Sequence, residues 1–243
     1  MTENSSEQKK PAIKVLTAAE RTVVHRGSSA ALTEKFRSVP PEGVDVRCRG
    51  LTYRVLPTVF WPNDDSLLLA DHMVINSGDR MLDVCTGSGV IAIEGATRFA
   101  GSVLALDINP AAVRSTQINA DRHGAGNLVE ARVSDGLSAL RSDERFNVIT
   151  VNPPFSDLPA ADFAESATRD PGLQFHRDFF TNVGAHMEKD AHIYMTQANF
   201  GNVEDMLRLA EQHDLDTRLL GSYERDSLHT FYVFELQLRK QQS

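Results

Sequence analysis

The residues best suited to chemistry in this chain follow an apolar run, in the segment VNPPFSD at 151–157. The preceding letters, FNVITV, are β-branched and apolar and predict a buried strand, which must stop at Asn152 because proline has no N–H for a sheet. The residue before a proline is held extended. We therefore expect a strand end that offers acceptors, the Asn152 side-chain oxygen and the Pro153 carbonyl, with Phe155 as a flat wall. Such a corner suits the N–H groups of a planar amide or aromatic amine.

A second segment, MLDVCTGSGVIAIEGA at 81–96, predicts a ligand-binding loop between a strand and a helix. The strand carries Asp83, and Gly87 and Gly89 allow the backbone to approach a ligand closely. The start of the helix adds N–H groups that have no partner within the helix. The next predicted strand ends about twenty residues later at Asp107, where a carboxylate can bind a ribose diol.

The third predicted strand ends at Ser134-Asp135-Gly136, where a carboxylate can accept a hydrogen bond from an adenine amine. The Gly-x-Gly-x-x-Ala pattern at 87–92 also fits the loose fingerprint of dinucleotide-binding proteins. Two features favour a different ligand. Asp83 would repel a pyrophosphate but attract a cationic group, and a nicotinamide enzyme has no need of the Asn-Pro-Pro-Phe segment.

The segments DVCTGSG, ALDINPAAV and NPPF together resemble class I S-adenosylmethionine-dependent methyltransferases. More narrowly, they resemble the branch that methylates planar nitrogens, which includes release-factor glutamine methyltransferases and the adenine amino methyltransferases of DNA and RNA. The segment VFWPNDDSLLLADHM at 59–73 is similar to one that packs over the cofactor in the glutamine methyltransferase branch. The resemblance spans residues 59–200. It implies a Rossmann-like α/β fold, a seven-stranded and mostly parallel sheet whose last strand is antiparallel.

The resemblance also implies a set of site residues, with S-adenosylmethionine as co-substrate and no metal. The implied cofactor-binding residues are Phe60, Pro62, Asp65, Ser66, Asp83, Cys85, Thr86, Gly87, Ser88, Gly89, Asp107, Ile108, Asp135, Gly136 and Asn152. Asp83 and the loop 85–89 would hold the methionine part, Asp107 the ribose and Asp135 the adenine amine. The implied catalytic residues are Asn152, Pro153 and Phe155, which hold the acceptor.

Several of these residues also have a purely structural explanation. Asn-Pro-Pro can simply terminate a strand, and Asp65 or Asp135 can cap a helix. Asn109 followed by Pro110 is a helix start by itself, which leaves Asp107 for a ligand.

The sequence is compatible with four functions. The leading one is methyl transfer to a nitrogen of a small molecule or a protein side chain, and natural-product biosynthesis fits the short segment before the hairpin. The second is transfer or cyclisation of the aminocarboxypropyl arm of S-adenosylmethionine, with release of methylthioadenosine. The third is methylation of adenine in RNA or DNA, against which the acidic segment SDLPAADFAESATRD at 156–170 argues. The fourth is a scaffold without catalysis, against which the intact site residues argue.

Alternating strands and helices must position these residues. The pattern predicts repeated strand–helix units from residue 80 onward, including a short helix at 136–141, and hence a parallel sheet with helices on both faces. The final alternating runs at 216–240 have no helix between them, so the last strand is predicted antiparallel. The segment 44–57 predicts a hairpin, and the helix after it is expected to have Asp64 or Asp65 as its N-cap.

The expected organisation has three parts: a disordered tail at 1–10, an extension with a helix and a hairpin at 11–62, and a catalytic domain at 63–243. The composition, 41% hydrophobic and 24% charged, is that of an ordinary globular protein. The N-terminus does not read as a secretory signal, no run of membrane-spanning length occurs, and two cysteines make no disulfide framework. We expect a cytoplasmic protein. The net charge of −8 disfavours a nucleic-acid partner and leaves the oligomeric state open.

Overall fold

The computed structural model describes residues 13–98 and 100–240. The strands are β1 (Val44–Cys48), β2 (Leu51–Val55), β3 (Arg80–Val84), β4 (Ser102–Asp107), β5 (Val129–Val133), β6 (Phe146–Val151), β7 (Met187–Ala198), β8 (Leu215–Asp226) and β9 (His229–Leu238). The α-helices are α1 (Ala18–Val24), α2 (Ala30–Arg37), α3 (Asp64–His72), α4 (Val90–Arg98), α5 (Pro110–Arg122), α6 (Phe163–Ser166), α7 (Gln174–Val183) and α8 (Val203–Gln212). A π-helical turn at His25–Ser29 joins α1 to α2.

Seven strands form one sheet in the order β5-β4-β3-β6-β7-β9-β8. The pairs among β3 to β7 are parallel, whereas β9 is antiparallel to both β7 and β8. The predicted α/β fold with an antiparallel last strand is therefore confirmed. The strand order reverses at β3, because β4 and β5 lie on one side of it and β6 on the other. Open α/β sheets bind ligands beyond the carboxyl ends of the strands at such a point.

The two faces of the sheet bury two separate apolar clusters. Successive residues of a strand point to opposite faces. On one face Leu82, Ile149 and Ile193 pack with α7 and α8, and on the other their neighbours Met81 and Tyr194 pack with α3 and α4. Each of these five side chains is at most 1% exposed. Burial on both faces explains why the central strands are continuously apolar.

The N-terminal elements pack beside the sheet, where β2 contacts α5, α2 contacts α6 and the Leu16 amide donates to the Asn199 carbonyl after β7. Thr17 and Glu20 form a capping box that starts α1. The predicted hairpin is present as β1–β2, and its turn has positive φ at Arg49 and Gly50, as a two-residue hairpin turn requires. The side chain of Asn119 on α5 accepts from the Arg54 amide and donates to the Arg54 carbonyl, which fixes the hairpin against the domain.

Two local predictions were wrong. The segment 136–141 forms turns, because Gly136 has φ +52 and the Ser134 hydroxyl bonds to the Gly136 carbonyl and the Ala139 amide in place of a helix. The N-cap of α3 is Asn63, one residue earlier than predicted, and no side-chain cap bond is made there. The expected disorder at 1–10 lies outside the described residues. No helix within 13–98 and 100–240 is long and apolar enough to cross a membrane.

Candidate functional site

A cleft of about 820 Å³ lies at the carboxyl ends of β3, β4, β5 and β6. We call it the cofactor cleft. Its lining includes most of the strand-end residues predicted from the sequence, namely Cys85, Gly87, Asp107, Ile108, Asp135, Gly136 and Asn152. The sheet thus brings together residues that are up to 67 positions apart in the chain, as the alternating pattern predicted.

The loop after β3 has the tight geometry expected of a ligand cradle. Cys85, Gly87 and Gly89 all have positive φ, of +60, +55 and +84. A Cβ at Gly89 would lie 2.9 Å from the Thr116 side chain, so only glycine fits there. The Thr86 amide is bonded to the Leu106 carbonyl, which ties the loop to the end of β4.

The carboxylate of Asp107 holds this loop and also faces the cofactor cleft. Its Oδ2 accepts from the Gly87 amide and its Oδ1 from the Asn109 amide, both at 2.9 Å. Burial raises the pKa of Asp107, and the two amides oppose that shift. Asn109 caps α5 through the Ala111 amide, and Pro110 is the first helical residue, as predicted. Each oxygen of Asp107 keeps a lone pair for a hydroxyl in the cleft.

Asp83 lies beneath the loop and does not line the cleft. It is fully buried, and its Oδ1 accepts from the Thr150 hydroxyl at 2.7 Å because the two residues are paired across β3 and β6. Its Oδ2 and the Thr86 hydroxyl are buried without a hydrogen-bond partner among the described residues. Burial raises the pKa of Asp83 to about 7. A carboxyl group beneath the loop favours a cationic ligand beside the loop through its charge.

A second cleft, of about 680 Å³, adjoins the first and shares Phe60, Asn152, Pro154 and Ala167 with it. We call it the acceptor cleft. It contains the predicted residues Asn152, Pro153 and Phe155. Sequence reasoning missed several others, which come from distant parts of the chain: Ser28, Ser29, Leu32, Phe200, Arg225, His229 and Phe231.

The side chain of Asn152 is fixed from both sides. Its Oδ1 accepts a hydrogen bond from the fully buried Thr196 hydroxyl, and its Nδ2 lies 3.2 Å from Ser66 Oγ. Thr196 is one residue beyond Met195, which pairs with Val151 on the neighbouring strand. One lone pair of Asn152 Oδ1 remains for another donor.

The aromatic wall of the acceptor cleft consists of Phe155, Phe200 and Phe231. The Phe155 ring lies 6.0 Å from Phe200 and 6.3 Å from Phe231, centroid to centroid. Asp65 forms part of the lining of the same cleft, although it is only 1% exposed, and burial raises its pKa to about 6. It was expected over the cofactor, and the geometry puts it on the acceptor side. Phe60 separates the two clefts.

Other predicted cofactor residues line neither cleft: Pro62, Ser66, Asp83, Thr86, Ser88 and Gly89. His176, Arg177 and Tyr194 also line neither cleft. His176 is buried, with Nδ1 2.6 Å from Asp170 Oδ2. No group of three or more His, Cys, Asp or Glu side chains in the described part of the chain is arranged to hold a metal.

We call residues 156–170 the covering segment, because Ser156 and Thr168 line the acceptor cleft and Phe163 and Arg169 line the cofactor cleft. Ser156 and Arg169 form a bridge at its base, and α6 lies at its tip. Arg37 of α2 donates to Asp162 at 2.8 and 3.0 Å and to Glu165 at 2.9 Å, which holds the tip against the N-terminal helices. Because these ion pairs are partly exposed, they contribute little to the free energy of unfolding, and their main effect is on the position of the segment.

Comparison with known proteins agrees with this geometry. Residues 62–209, more than half of the chain, match the family model described as methyltransferase small domain. The release factor glutamine methyltransferase of Koribacter versatilis is 37% identical over 127 residues, which are 50% of this chain and 44% of that protein. The ribosomal protein uL3 glutamine methyltransferase of Bradyrhizobium diazoefficiens is 34% identical over 148 residues, 59% of this chain and 46% of that protein. The chain thus spans about half the length of these relatives.

Among solved structures, the T. thermophilus 16S rRNA N2 G1207 methyltransferase in complex with AdoMet and guanosine has a TM-score of 0.60. It is 23% identical, and the match covers 81% of this chain and 50% of that one. That likeness establishes the same Rossmann-like fold. With the family match over residues 62–209, it follows that the chain belongs to the methyltransferase small domain family.

Proposed function

We propose that this protein is an S-adenosylmethionine-dependent methyltransferase whose acceptor is a planar nitrogen of an amide or an amine. The observation that carries the proposal is the pair of adjoining clefts that share Asn152 and Phe60. One cleft has the carboxylates and tight loop that suit a charged nucleoside, and the other has an aromatic wall. The family and the glutamine methyltransferases that resemble the chain support this choice.

In the cofactor cleft, Asp107 would bind the ribose hydroxyls, with Ile108 and Gly136 beside the adenine and Asp135 accepting from its amine. The loop 85–89 and Asp83 beneath it would hold the methionine part. Because Asp83 does not line the cleft, it would act on the ammonium group through its charge and not by a direct hydrogen bond. Bound S-adenosylmethionine supplies a methyl group activated by a sulfonium.

In the acceptor cleft, Asn152 Oδ1 and the Pro153 carbonyl would accept two N–H bonds from the acceptor. As the nitrogen attacks, positive charge grows on it, and fixed acceptor dipoles stabilise that charge. Thr196 keeps Asn152 in one orientation, so the dipole does not have to reorganise. Phe155 stacks against the planar group. Holding the reacting atoms about 3–3.5 Å apart can supply a large part of the rate enhancement.

The acceptor is a small molecule or a protein side chain. The named relatives act on glutamine in proteins, which favours a side-chain amide. A small molecule that carries a planar amide or amine would use the same Asn152 and Phe155 contacts. The covering segment 156–170 carries Asp157, Asp162, Glu165 and Asp170 against a single arginine, and this acidity argues against a phosphate backbone.

The test is mass spectrometry of the protein with S-adenosylmethionine, alone and with benzamide, aniline or N-acetylglutamine amide as acceptor probe. The proposal predicts S-adenosylhomocysteine and the methylated probe, with none formed when the probe is omitted. Methylthioadenosine formed without a probe would instead establish chemistry at the aminocarboxypropyl arm. Asn152→Ala is the matched variant, and it should bind S-adenosylhomocysteine like the wild type but lose turnover.

A further inference from the structure

Three residues from the two ends of the chain form a hydrogen-bonded series at the acceptor cleft. Ser28 Oγ lies 2.7 Å from His229 Nε2, and His229 Nδ1 lies 2.8 and 3.0 Å from the carboxylate oxygens of Asp226. Ser28 and His229 both line the cleft, together with Asn152 and Phe155. The proposed methyl transfer to a nitrogen held by Asn152 does not use these three residues.

The surroundings of Asp226 determine which nitrogen of His229 carries the proton. Asp226 Oδ1 also accepts from the amides of Leu228 and His229, so this carboxylate is an acceptor in the turn between β8 and β9. His229 must then donate from Nδ1. In neutral His229 the lone pair therefore lies on Nε2 and accepts from the Ser28 hydroxyl.

The same set of bonds also accommodates a protonated His229. The Ser28 hydroxyl lies 3.2 Å from the Val24 carbonyl, its alternative acceptor. When Nε2 carries a proton, it donates to Ser28 Oγ, and the hydroxyl donates to Val24 instead. Every polar atom of the series keeps a partner in both states, so taking up a proton leaves no group unsatisfied.

Few other charges face His229. Arg225 lines the same cleft, but its guanidinium is bonded to Asp64 and Asn63. Asp65 is at the cleft floor, and His25 is on the far side of Phe200, whose ring is edge-on to both histidines. Lys14 binds the Ser227 carbonyl at the turn.

We propose that Ser28, His229 and Asp226 form a relay that accepts the proton released by the methyl acceptor. This inference rests on the proposed function. The acceptor nitrogen forms a bond to the methyl carbon, the carbon–sulfur bond breaks, and its electron pair stays on sulfur as a neutral thioether. After the transfer, one of the two N–H groups of the now cationic nitrogen leaves its oxygen acceptor, and its proton passes to Ser28 Oγ while the hydroxyl proton moves to His229 Nε2. Asp226 balances the imidazolium, which returns the proton to solvent.

The test measures the S-adenosylhomocysteine that forms from saturating S-adenosylmethionine when benzamide or aniline is the methyl acceptor. The pH is varied between about 5.5 and 9, where neither probe titrates. The variants are His229→Gln, Ser28→Ala and Asp226→Asn. The last of these keeps the shape of the turn but removes the negative charge. His186→Gln is the control, since His186 binds the Glu144 carbonyl, away from both clefts.

We expect wild-type turnover to rise with pH, because the relay can take up a proton only when Nε2 of His229 carries none. Each relay variant should lose about tenfold to a hundredfold in kcat at pH 7. With His229→Gln, the rise of kcat with pH should also disappear. Affinity for S-adenosylhomocysteine, measured by calorimetry, should stay within about twofold of wild type. Burial also raises the pKa of Asp65 to about 6 and that of Asp83 to about 7, so the difference between the variants is decisive and not the rise of wild-type turnover itself.

The outcomes separate the relay from the proposed function. A wild type that methylates a probe, with His229→Gln showing the same kcat and pH profile, would refute the relay alone. The three residues would then only hold the π-helical turn against the turn between β8 and β9. A wild type that binds S-adenosylhomocysteine but methylates neither probe counts against the proposed function, and the relay falls with it.

Discussion

The buried carboxyl of Asp83 makes the stability of the protein depend on pH, and Asp83→Asn should remove that dependence. Burial raises the pKa of Asp83 from an ordinary value near 3.9 to about 7. The protonated form is therefore favoured by folding. Its contribution to stability is fully present below the unfolded-state pKa and is lost as the pH rises through about 7.

The size of the effect follows from the shift. About three pKa units correspond to about 4 kcal/mol, of which about 3 kcal/mol should be lost between pH 5 and 8. The asparagine introduced by Asp83→Asn would keep an acceptor for the Thr150 hydroxyl. Its new side-chain amide lies near the Thr86 hydroxyl, and a desolvation cost of up to about 1–3 kcal/mol would be the same at every pH.

Urea unfolding of both proteins at several pH values from 5 to 8, without ligand, measures this difference. The free energy of unfolding of the wild type, relative to Asp83→Asn, should fall by about 3 kcal/mol over that range. The control is Asp135→Asn, the same change at an exposed position in the cofactor cleft, which should run parallel to the wild type. Parallel curves for Asp83→Asn and the wild type would refute the reasoning.

The remaining predictions concern the ligands. Asp107→Ala removes the proposed ribose acceptor and the anchor of the Gly87 amide, and calorimetry should show S-adenosylhomocysteine affinity reduced at least about a hundredfold; unchanged affinity would contradict the assignment. Asn152→Ala should lower turnover about a hundredfold with S-adenosylhomocysteine affinity nearly unchanged, and Thr196→Val should have a smaller effect in the same direction; wild-type rates would exclude the acceptor role. Arg37→Ala frees α6, so stopped-flow measurements should show faster release of S-adenosylhomocysteine; an unchanged rate would mean that these ion pairs do not hold the covering segment.

The sequence was sufficient for the parts of the structure that depend on local patterns. Continuous apolar runs identified the central strands, because both faces of a parallel sheet are buried. The glycines at 87 and 89 and the Asn109-Pro110 pair placed the cofactor cleft, because each demands a particular backbone geometry. These signals lie within a few residues of the features that they predict.

The acceptor cleft was only half predictable, since its walls come from elements far apart in the chain. Ser28 meets His229 across 201 residues, and no local pattern indicates that the π-helical turn lies against the β8–β9 turn. Asp65 looked like a helix cap, yet Asn63 is the N-cap and Asp65 is buried at the acceptor cleft. The short helix predicted after β5 is absent because the Ser134 hydroxyl bonds to the Gly136 carbonyl and the Ala139 amide in place of helical hydrogen bonds.

The central claim, methyl transfer to a nitrogen, is tested most directly by the bond that the methyl carbon forms. The protein is incubated with S-adenosylmethionine carrying a ¹³C-methyl group and with a cell extract labelled uniformly with ¹⁵N. We predict a new methyl signal in the carbon NMR spectrum that is split by one-bond coupling to ¹⁵N, and that is absent with Asn152→Ala. A transferred methyl without that coupling, bonded to oxygen or carbon, or a label found only in methylthioadenosine, would contradict the account.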